Sequence, residues 1–382
     1  MRITDEWLNE PGLQRICSLL EDAGFHALLV GGCVRNALLG EPVSDMDIAT
    51  DARPERVIEL AEKAGIKAVP TGIEHGTVTL VENGIPHEVT TFRRDVETDG
   101  RRAVVAFADD VTEDARRRDF TMNALYARAD GTVIDPLGGL PDLQARRVRF
   151  IEDPEQRIRE DYLRILRFFR FHAWYGDPAA GLDADALSAI AANLDGLPML
   201  SRERVGSEIR KLLAAPDPAP SVAAMRSVGV LGVVLPDADD TALSPLVHLE
   251  GEAGISPNAI RRLAALGGED VEERLRLSKS DARLYSTYRD ETGTESKASA
   301  LGYRLGSQAA QDIVLLRAAL LSVPFDPAEL AAADHGAGQV FPIKAGDLMP
   351  DLQGAALGAK LKELEERWIA SDFTLTREQL LH

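Results

Sequence analysis

Cysteine, aromatic residues and long apolar segments are all scarce in this chain of 382 residues. Only Cys17 and Cys33 are present, too few for a disulfide framework or a cysteine-ligated zinc knuckle. No apolar run approaches the roughly 20 residues that a membrane-spanning helix needs. The N-terminal sequence MRITDEWLNE lacks the apolar core of a signal peptide. These absences predict a cytoplasmic protein without a membrane partner.

Basic residues are also fewer than acidic ones. The chain has 43 Lys and Arg against 62 Asp and Glu, for a formal net charge of -19. This balance weighs against a broadly basic nucleic-acid-binding surface, because phosphate binding requires Lys and Arg. A local basic groove remains compatible with an acidic exterior. Between Arg146 and Arg170 there are eight arginines and no lysine, although a solvated helix face with ion pairs is the ordinary explanation for such a run.

The hydrophobic pattern predicts an α+β head followed by helices only. A buried strand (HALLVGG) precedes a helix that Gly40 ends, and SDMDIAT alternates as a second strand. A helix over 54–65 and three further strands follow, the last two joined by Asn83 and Gly84. The charged, poorly periodic segment 94–118 is interpreted as a loop. The predicted divisions are a lead-in helix (1–24), a head with a small mixed sheet (25–142), a helical neck (143–232) and a helical body and tail (233–382).

A glycine pair lies between the first strand and its helix. Gly31 and Gly32 allow a sharp turn and a close approach of a ligand to the backbone. The free N–H groups at the helix start can then face a triphosphate, and Arg35, one turn on, can add a charged fork. A plain tight turn is the commoner meaning of such a pair when it occurs alone.

Two carboxylates follow within 17 residues of the glycine pair. Asp45 and Asp47 are separated by one residue, so on a strand both would point to one face. Magnesium prefers oxygen ligands and keeps several waters, which makes this pair a candidate metal site. Glu88 is a candidate third carboxylate. An isolated D-x-D, however, is most often a solvent-facing pair.

The segment from Asp153 onward predicts an amphipathic helix. Ile158, Ile165 and Phe169 belong to its apolar stripe, at 100° per residue. Asp161 and Arg164 lie on the opposite face. A salt-bridged outer face is the structural explanation when this segment is considered alone.

Together these motifs resemble the class II tRNA nucleotidyltransferase and bacterial poly(A) polymerase family. GGCVRN followed by DMD is similar to its pattern GG-x-V-R-D and D-x-D, with Asn36 in place of the usual aspartate. TEDARRRDFTMNAL resembles the motif in which an arginine, here Arg118, reaches the nucleotide. EDYLR is similar to its E-D-x-x-R motif. The resemblance covers roughly residues 25–210 and implies a polymerase-β-like nucleotidyltransferase head.

The family also implies roles for these residues. Asp45 and Asp47 are the expected catalytic metal ligands for two Mg²⁺ ions. In the E-D-x-x-R motif the aspartate and the arginine, here Asp161 and Arg164, act as a protein template for the incoming base. The expected nucleotide-binding residues are Gly31, Gly32, Arg35, Arg118, Asp161, Arg164, Arg167 and Arg170.

The reaction implied is attack of an RNA 3′-hydroxyl on the α-phosphate of CTP or ATP, with release of pyrophosphate. The resemblance favours addition of C, C and A to the 3′ end of tRNA, whose acceptor arm is the expected partner. The basic signature typical of poly(A) polymerases is missing after the first motif, and the loop between the first two motifs is complete. A poly(A) polymerase, a CC-adding enzyme and a catalytically silent RNA-binding protein remain as alternatives, and no protein partner is implied.

Overall fold

The computed structural model of the chain describes residues 1–98, 103–349 and 351–382. These form two compact units. The first comprises residues 1–208 and 220–234, and the second comprises 209–219 and 235–382. The first unit contains all the strands found in the described residues, whereas the described elements of the second unit are helices, so the predicted α+β class is confirmed. None of the helices in the described ranges combines the length and hydrophobicity required to cross a bilayer.

A mixed sheet of seven strands forms the head of the first unit, and a separate two-stranded hairpin accompanies it. The strands are β1 (Leu28–Val30), β2 (Ile48–Thr50), β3 (Lys67–Gly72), β4 (Thr77–Glu82), β5 (Ile85–Thr91), β6 (Arg93–Thr98), β7 (Ala103–Phe107), β8 (Tyr126–Arg128) and β9 (Val133–Ile134). The sheet order is β3-β4-β5-β2-β1-β8-β9, and β6 pairs with β7. Every residue of β1 is buried at the centre of this sheet, where full burial of a leucine side chain contributes about 1.5–3 kcal/mol.

Helices surround the sheet and then continue to the end of the chain. The earlier ones are α1 (Pro11–Asp22), α2 (Gly32–Leu39), α3 (Pro54–Lys63), α4 (Val111–Arg116), α5 (Leu140–Gln144), α6 (Pro154–Glu160), α7 (Leu163–Tyr175), α8 (Ala184–Ala191), α9 (Arg202–Leu213), α10 (Ala219–Ser227) and α11 (Val230–Val234). The later ones are α12 (Leu243–Ala253), α13 (Ala259–Leu266), α14 (Val271–Arg274), α15 (Lys279–Thr292), α16 (Ala298–Leu305), α17 (Ser307–Leu321), α18 (Pro327–Ala337), α19 (Gly354–Ala370) and α20 (Arg377–Leu381).

Three local predictions need correction. The strand predicted over SDMDIAT begins only at Ile48, so Asp45 and Asp47 lie in the segment before it. The loop predicted over 94–118 contains β6, β7 and α4, while residues 99–102 lie outside the described residues. The helix predicted from Asp153 is interrupted at Asp161, whose φ of -154° and ψ of 104° are extended. In each case the residue pattern alone did not locate the boundaries of the element, which depend on contacts with other segments.

The strand register brings the ends of three chain segments together. β1 pairs antiparallel with β2 and with β8, and β2 runs parallel to β5 with Ile48 opposite Val89. Asp47 and Glu88 each come one residue before this pair. The glycine turn follows directly after β1. The sheet therefore places the glycine turn, Asp47 and Glu88 at one edge of its central strands.

Two helices of the second unit cross at very short range. α16 contacts α18 through Gly302, which faces Ala333, and through Gly336, which faces Ser299. A Cβ atom added to either glycine would overlap a backbone carbonyl oxygen of the other helix. Only glycine permits this separation of the two backbones.

Gly336→Ala is therefore expected to destabilise the protein, although alanine is the better helix former. Overpacking costs about 1–3 kcal/mol, and the upper part of this range applies at Gly336, because the added Cβ would meet backbone atoms of Ser299. This cost exceeds the roughly 1 kcal/mol that alanine gains over glycine in a helix. Gly358→Ala in α19 is the matched control, because a Cβ at that exposed position meets nothing within 4 Å. Urea denaturation should show a loss of stability for the first variant and a small gain for the second. Equal gains in both variants would contradict the close crossing.

A buried ionic cluster also lies within the second unit. Arg261 on α13 donates to Glu250 at 2.8 Å and to Asp312 at 2.5 Å. Its neighbour Arg262 binds Glu250 at 2.7 Å and the carbonyl oxygens of Leu213, Ala215 and Pro216. None of the four charged side chains is more than 3% exposed. Sequence periodicity predicted these helices but gave no indication of this cluster.

Candidate active site

The glycine turn has the conformation that the sequence predicts. Gly31 has a φ of 74° and a ψ of -119°, a region that residues with a side chain rarely adopt, and it caps the N-terminus of α2. A Cβ at this position would lie 3.7 Å from Nη1 of Arg118. The turn therefore brings the backbone close to the guanidinium group expected to bind the nucleotide.

Carboxylates gather beside this turn. The carbonyl oxygen of Asp47 accepts a hydrogen bond from Val30 at 3.0 Å, which ties Asp47 to the end of β1. Burial, and then the carboxylates of Glu88 and Asp45, raise the pKa of Asp47 to about 6, against the opposing effect of Arg118. Glu88 and Asp45 thus each lie close enough to Asp47 to repel its negative charge, and a cation beside Asp47 would relieve this repulsion.

The donor set fits magnesium. Asp45 is exposed and Asp47 is partly buried, so coordination positions remain for water and for triphosphate oxygens. No group of three or more His, Cys, Asp or Glu side chains in the described part of the chain forms a ready metal cage. Two carboxylates with open positions are what an ion shared with a nucleotide requires.

Asp114 organises the arginines of the second motif, although the sequence analysis assigned it no role. It is buried and accepts hydrogen bonds from Arg117 at 2.8 Å, from Arg118 at 2.9 Å and from the hydroxyl of Tyr126 at 2.7 Å. Burial alone would raise the pKa of Asp114, but the two guanidinium groups and the hydroxyl outweigh it and lower that pKa. Arg118 is therefore fixed in place, with Nη1 directed at Gly31.

Arg35 is more enclosed than the sequence predicts. Its guanidinium donates to Asn123 at 2.6 Å and to Tyr175 at 2.9 Å, and it lies 4.0 Å from the Tyr175 ring centre. Burial lowers its pKa. Asn123 in turn donates to Asp119 at 2.8 Å, and Arg167 pairs with the same aspartate at 2.5 Å. Arg35 thus adds positive charge to the site from within a hydrogen-bonded chain, not as the free fork expected from the sequence.

Asn36 has a defined role at the position where the family pattern has aspartate. Its side-chain oxygen accepts from Arg35 at 3.0 Å and its amide donates to the carbonyl of Pro42 at 2.8 Å. A carboxylate could not make the second bond, because it has no donor. The asparagine therefore ties the end of α2 to the segment that carries Asp45.

The two residues expected to read the base lie at the break between α6 and α7. Asp161 accepts from Leu163 N–H at 3.1 Å and from Arg204 at 2.7 Å. Arg164 donates to Glu160 at 2.6 Å and to the carbonyl of Arg157 at 2.8 Å.

One cavity of about 390 Å³ collects most of the expected residues. Its lining includes Gly31, Gly32, Arg35, Asp47, Arg118, Asp161, Arg164 and Arg167, together with Arg117, Asp119, Asn123, Leu163, Phe171 and Arg204. Six arginines and three aspartates give this lining a surplus of three positive charges, in a chain whose net charge is -19. Such a cavity suits a polyanion of nucleotide size.

Two of the expected residues lie outside this lining. Asp45 is exposed, and its charge acts on Asp47, which does line the cavity. Arg170 donates to Glu208 at 2.5 Å and covers the ring of Phe171 at 4.5 Å. This contact with Phe171, a cavity residue, gives Arg170 a supporting position behind the site.

Comparison with known proteins gives concordant results. The family described as "Poly A polymerase head domain" matches residues 27–149, and the "Probable RNA and SrmB- binding site of polymerase A" matches residues 181–241. The mitochondrial CCA tRNA nucleotidyltransferase 1 of Mus musculus is 32% identical, with 97% of this chain and 89% of that protein covered.

Solved structures of CCA-adding enzymes are similar over the same length. The Bacillus stearothermophilus enzyme in complex with CTP matches with a TM-score of 0.71 and 26% identity, covering 97% of this chain and 94% of that one. The Thermotoga maritima enzyme in complex with tRNA-CCA matches with a TM-score of 0.73 and 18% identity, covering 99% and 95%. At that identity the second match shows the fold alone.

Proposed function

Because the chain belongs to the family of CCA-adding tRNA nucleotidyltransferases, we propose that it adds C, C and A to the 3′ end of tRNA from CTP and ATP, releasing pyrophosphate. The observation that carries this proposal is the 32% identity across 97% of the chain. The positively charged cavity beside Asp47 supports it, because the substrates are polyanions.

The triphosphate is assigned to the glycine turn. The N–H groups at the start of α2 and the guanidinium of Arg118 face the same space, and both bind phosphate oxygens well. Asp114 holds Arg118 in place before the nucleotide arrives, so little conformational entropy is lost on binding. Arg35 and Arg167 add positive charge behind this position.

Asp45 and Asp47 are assigned to Mg²⁺. When bound, the metal would lower the pKa of the attacking 3′-hydroxyl and neutralise charge on the triphosphate. The two carboxylates would hold this ion next to the glycine turn. Repulsion between them in the free protein makes the site ready for a cation.

Asp161 and Arg164 are assigned to base selection. Cytosine and adenine both present an exocyclic amino donor beside a ring-nitrogen acceptor, so a carboxylate accepts from the first and a guanidinium donates to the second. Uracil and guanine present a carbonyl where the amine should be. When the Asp161 carboxylate faces that carbonyl, binding of the base is weakened by about 1–3 kcal/mol for each hydrogen-bonding group left without a partner.

Incorporation of nucleotides into tRNA that lacks its CCA end tests the function. With Mg²⁺ and labelled CTP and ATP, the product is expected to be three nucleotides longer, with two C residues and one A. A CC-adding enzyme would stop after two nucleotides, a poly(A) polymerase would make long tails from ATP alone, and a silent RNA-binding protein would incorporate neither label. Each of these three results would contradict the proposal.

The compartment is proposed to be the cytoplasm. Both cysteines are free and buried, as in proteins of reducing compartments. The relatives from Mus musculus and Homo sapiens are named as mitochondrial, so cell fractionation has the mitochondrion as its alternative outcome.

A further inference from the structure

The carboxylate of Asp161 is held at both of its oxygens. One oxygen accepts from the backbone N–H of Leu163, at the start of α7, at 3.1 Å. The other accepts from Nη2 of Arg204, near the start of α9, at 2.7 Å. Two separate helices therefore fix the carboxylate, and rotation about its side-chain bonds would break at least one of these contacts.

Arg164 is held by a different set of partners. Its guanidinium donates to Glu160 at 2.6 Å, and to the carbonyl oxygens of Arg157 at 2.8 Å and Arg117 at 3.1 Å. The cation paired with Asp161 is thus Arg204, and the anion paired with Arg164 is Glu160. Asp161 and Arg164 are oriented independently, which leaves each able to contact its own atom of a base.

The pair of Asp161 and Arg204 contributes little to the stability of the fold. The side chains are 31% and 46% exposed, and ion pairs in contact with solvent have small net effects on unfolding. Both side chains nevertheless line the cavity that contains Gly31 and Asp47. The contact therefore matters for the shape of the cavity more than for folding.

We propose that Arg204 is a specificity-determining positioning residue for nucleotide selection. It fixes Asp161 in the orientation in which the carboxylate accepts a hydrogen bond from the amine of cytosine or adenine. Each carboxylate oxygen has two lone pairs, so the bond from Arg204 leaves room for the bond from the base. This inference rests on the proposed function, because it concerns the same base-reading carboxylate.

A fixed acceptor discriminates better than a mobile one. When uracil or guanine enters, a carboxylate held by Arg204 and Leu163 must face the carbonyl of the base. Because the carboxylate cannot move, the repulsion between these two acceptors is not relieved. A carboxylate without Arg204 can rotate away, or a water can bridge the two acceptors. Loss of Arg204 therefore admits the wrong bases without removing the acceptor for the right ones.

Arg204→Ala tests this role in the full-length protein with tRNA that lacks its CCA end. The measured quantity is the ratio of kcat/KM for CTP to that for UTP, which is expected to fall about tenfold. The KM for CTP is expected to rise as well, because Arg204 is one of the six arginines that line the cavity, so the ratio and not the absolute rate reports the positioning role. Arg204→Lys keeps the charge with a single donor group and is expected to restore part of the discrimination.

Two further variants separate the possible outcomes. Arg159→Ala removes one charge from the exposed face of α6, outside the cavity lining, and is expected to leave the CTP to UTP ratio unchanged. Asp161→Ala is expected to relax selection at least as much as Arg204→Ala. If Asp161→Ala relaxes selection and Arg204→Ala does not, the role of Arg204 is overturned while the proposed function stands. If neither variant changes selection, the base-reading assignment of Asp161 fails, and the role of Arg204 fails with it.

Discussion

Replacement of Asp47 by asparagine is expected to abolish nucleotide transfer, with kcat at least about 1000-fold lower, because the charge that holds the metal is lost. Asparagine has nearly the shape of aspartate, so the turn beside β1 should keep its geometry. Binding of tRNA is expected to persist, since the lost charge is negative and lies at the metal site. Incorporation of labelled CTP and a filter-binding assay with tRNA measure the two quantities.

The stability of the Asp47→Asn variant provides an internal check. Burial, with Glu88 and Asp45 nearby, raises the pKa of Asp47 in the folded protein to about 6. A carboxyl group whose pKa is raised on folding destabilises the native state above that pKa, because the ionised form is disfavoured there. At pH 7 the variant should therefore have an unchanged or higher Tm.

Asp109→Asn is the charge-matched control for this experiment. Asp109 is exposed, pairs with Arg53 and lies outside the cavity lining, so its replacement should leave turnover intact. Asp45→Asn is expected to behave like Asp47→Asn, though less severely, because Asp45 is more exposed. Full turnover in both the Asp45 and Asp47 variants would refute the metal assignment.

The second large effect is expected from Glu250→Ala in the helical unit. Glu250 pairs with both Arg261 and Arg262, and its loss leaves two buried guanidinium groups without this partner. Breaking a buried ion pair from one side costs about 3–5 kcal/mol. Urea denaturation followed by circular dichroism should show this loss.

An exposed pair in the same unit gives the control. Glu366 pairs with Arg304 at 2.7 Å, with side chains that are 52% and 40% exposed. Its replacement by alanine is expected to cost no more than about 1 kcal/mol, because solvent screens the interaction. Similar losses for Glu250→Ala and Glu366→Ala would show that the buried cluster does not stabilise the unit.

The sequence predicted the parts of the site that depend on local chemistry. Gly31 could be assigned because a sharp turn that a ligand approaches closely favours glycine, and its position between a strand and a helix is visible in the hydrophobic pattern. The likeness of EDYLR to a family motif pointed to Asp161 and Arg164, both of which line the cavity. These features involve residues within one or two turns of each other.

Contacts between distant segments could not be predicted from the hydrophobic pattern of the sequence. Asp114 holds Arg118 and Tyr126 by side-chain geometry that no spacing encodes. The interruption of the helix at Asp161 follows from contacts with Leu163 and Arg204, and the second of these is 43 residues away. Periodicity describes which face of an element is apolar, whereas these contacts depend on how folded elements meet.

The order in which the chain enters its two units also limits where the protein can be truncated. The chain passes between the two compact units three times, at 208–209, 219–220 and 234–235. A fragment ending at residue 234 would keep 209–219 but lose Arg262, the donor to the carbonyl oxygens of Leu213, Ala215 and Pro216. Those acceptors and the apolar side chains around them would then face water. Truncation at that point would therefore produce an aggregation-prone fragment, and single substitutions in the intact chain are the better route to separating catalysis from RNA binding.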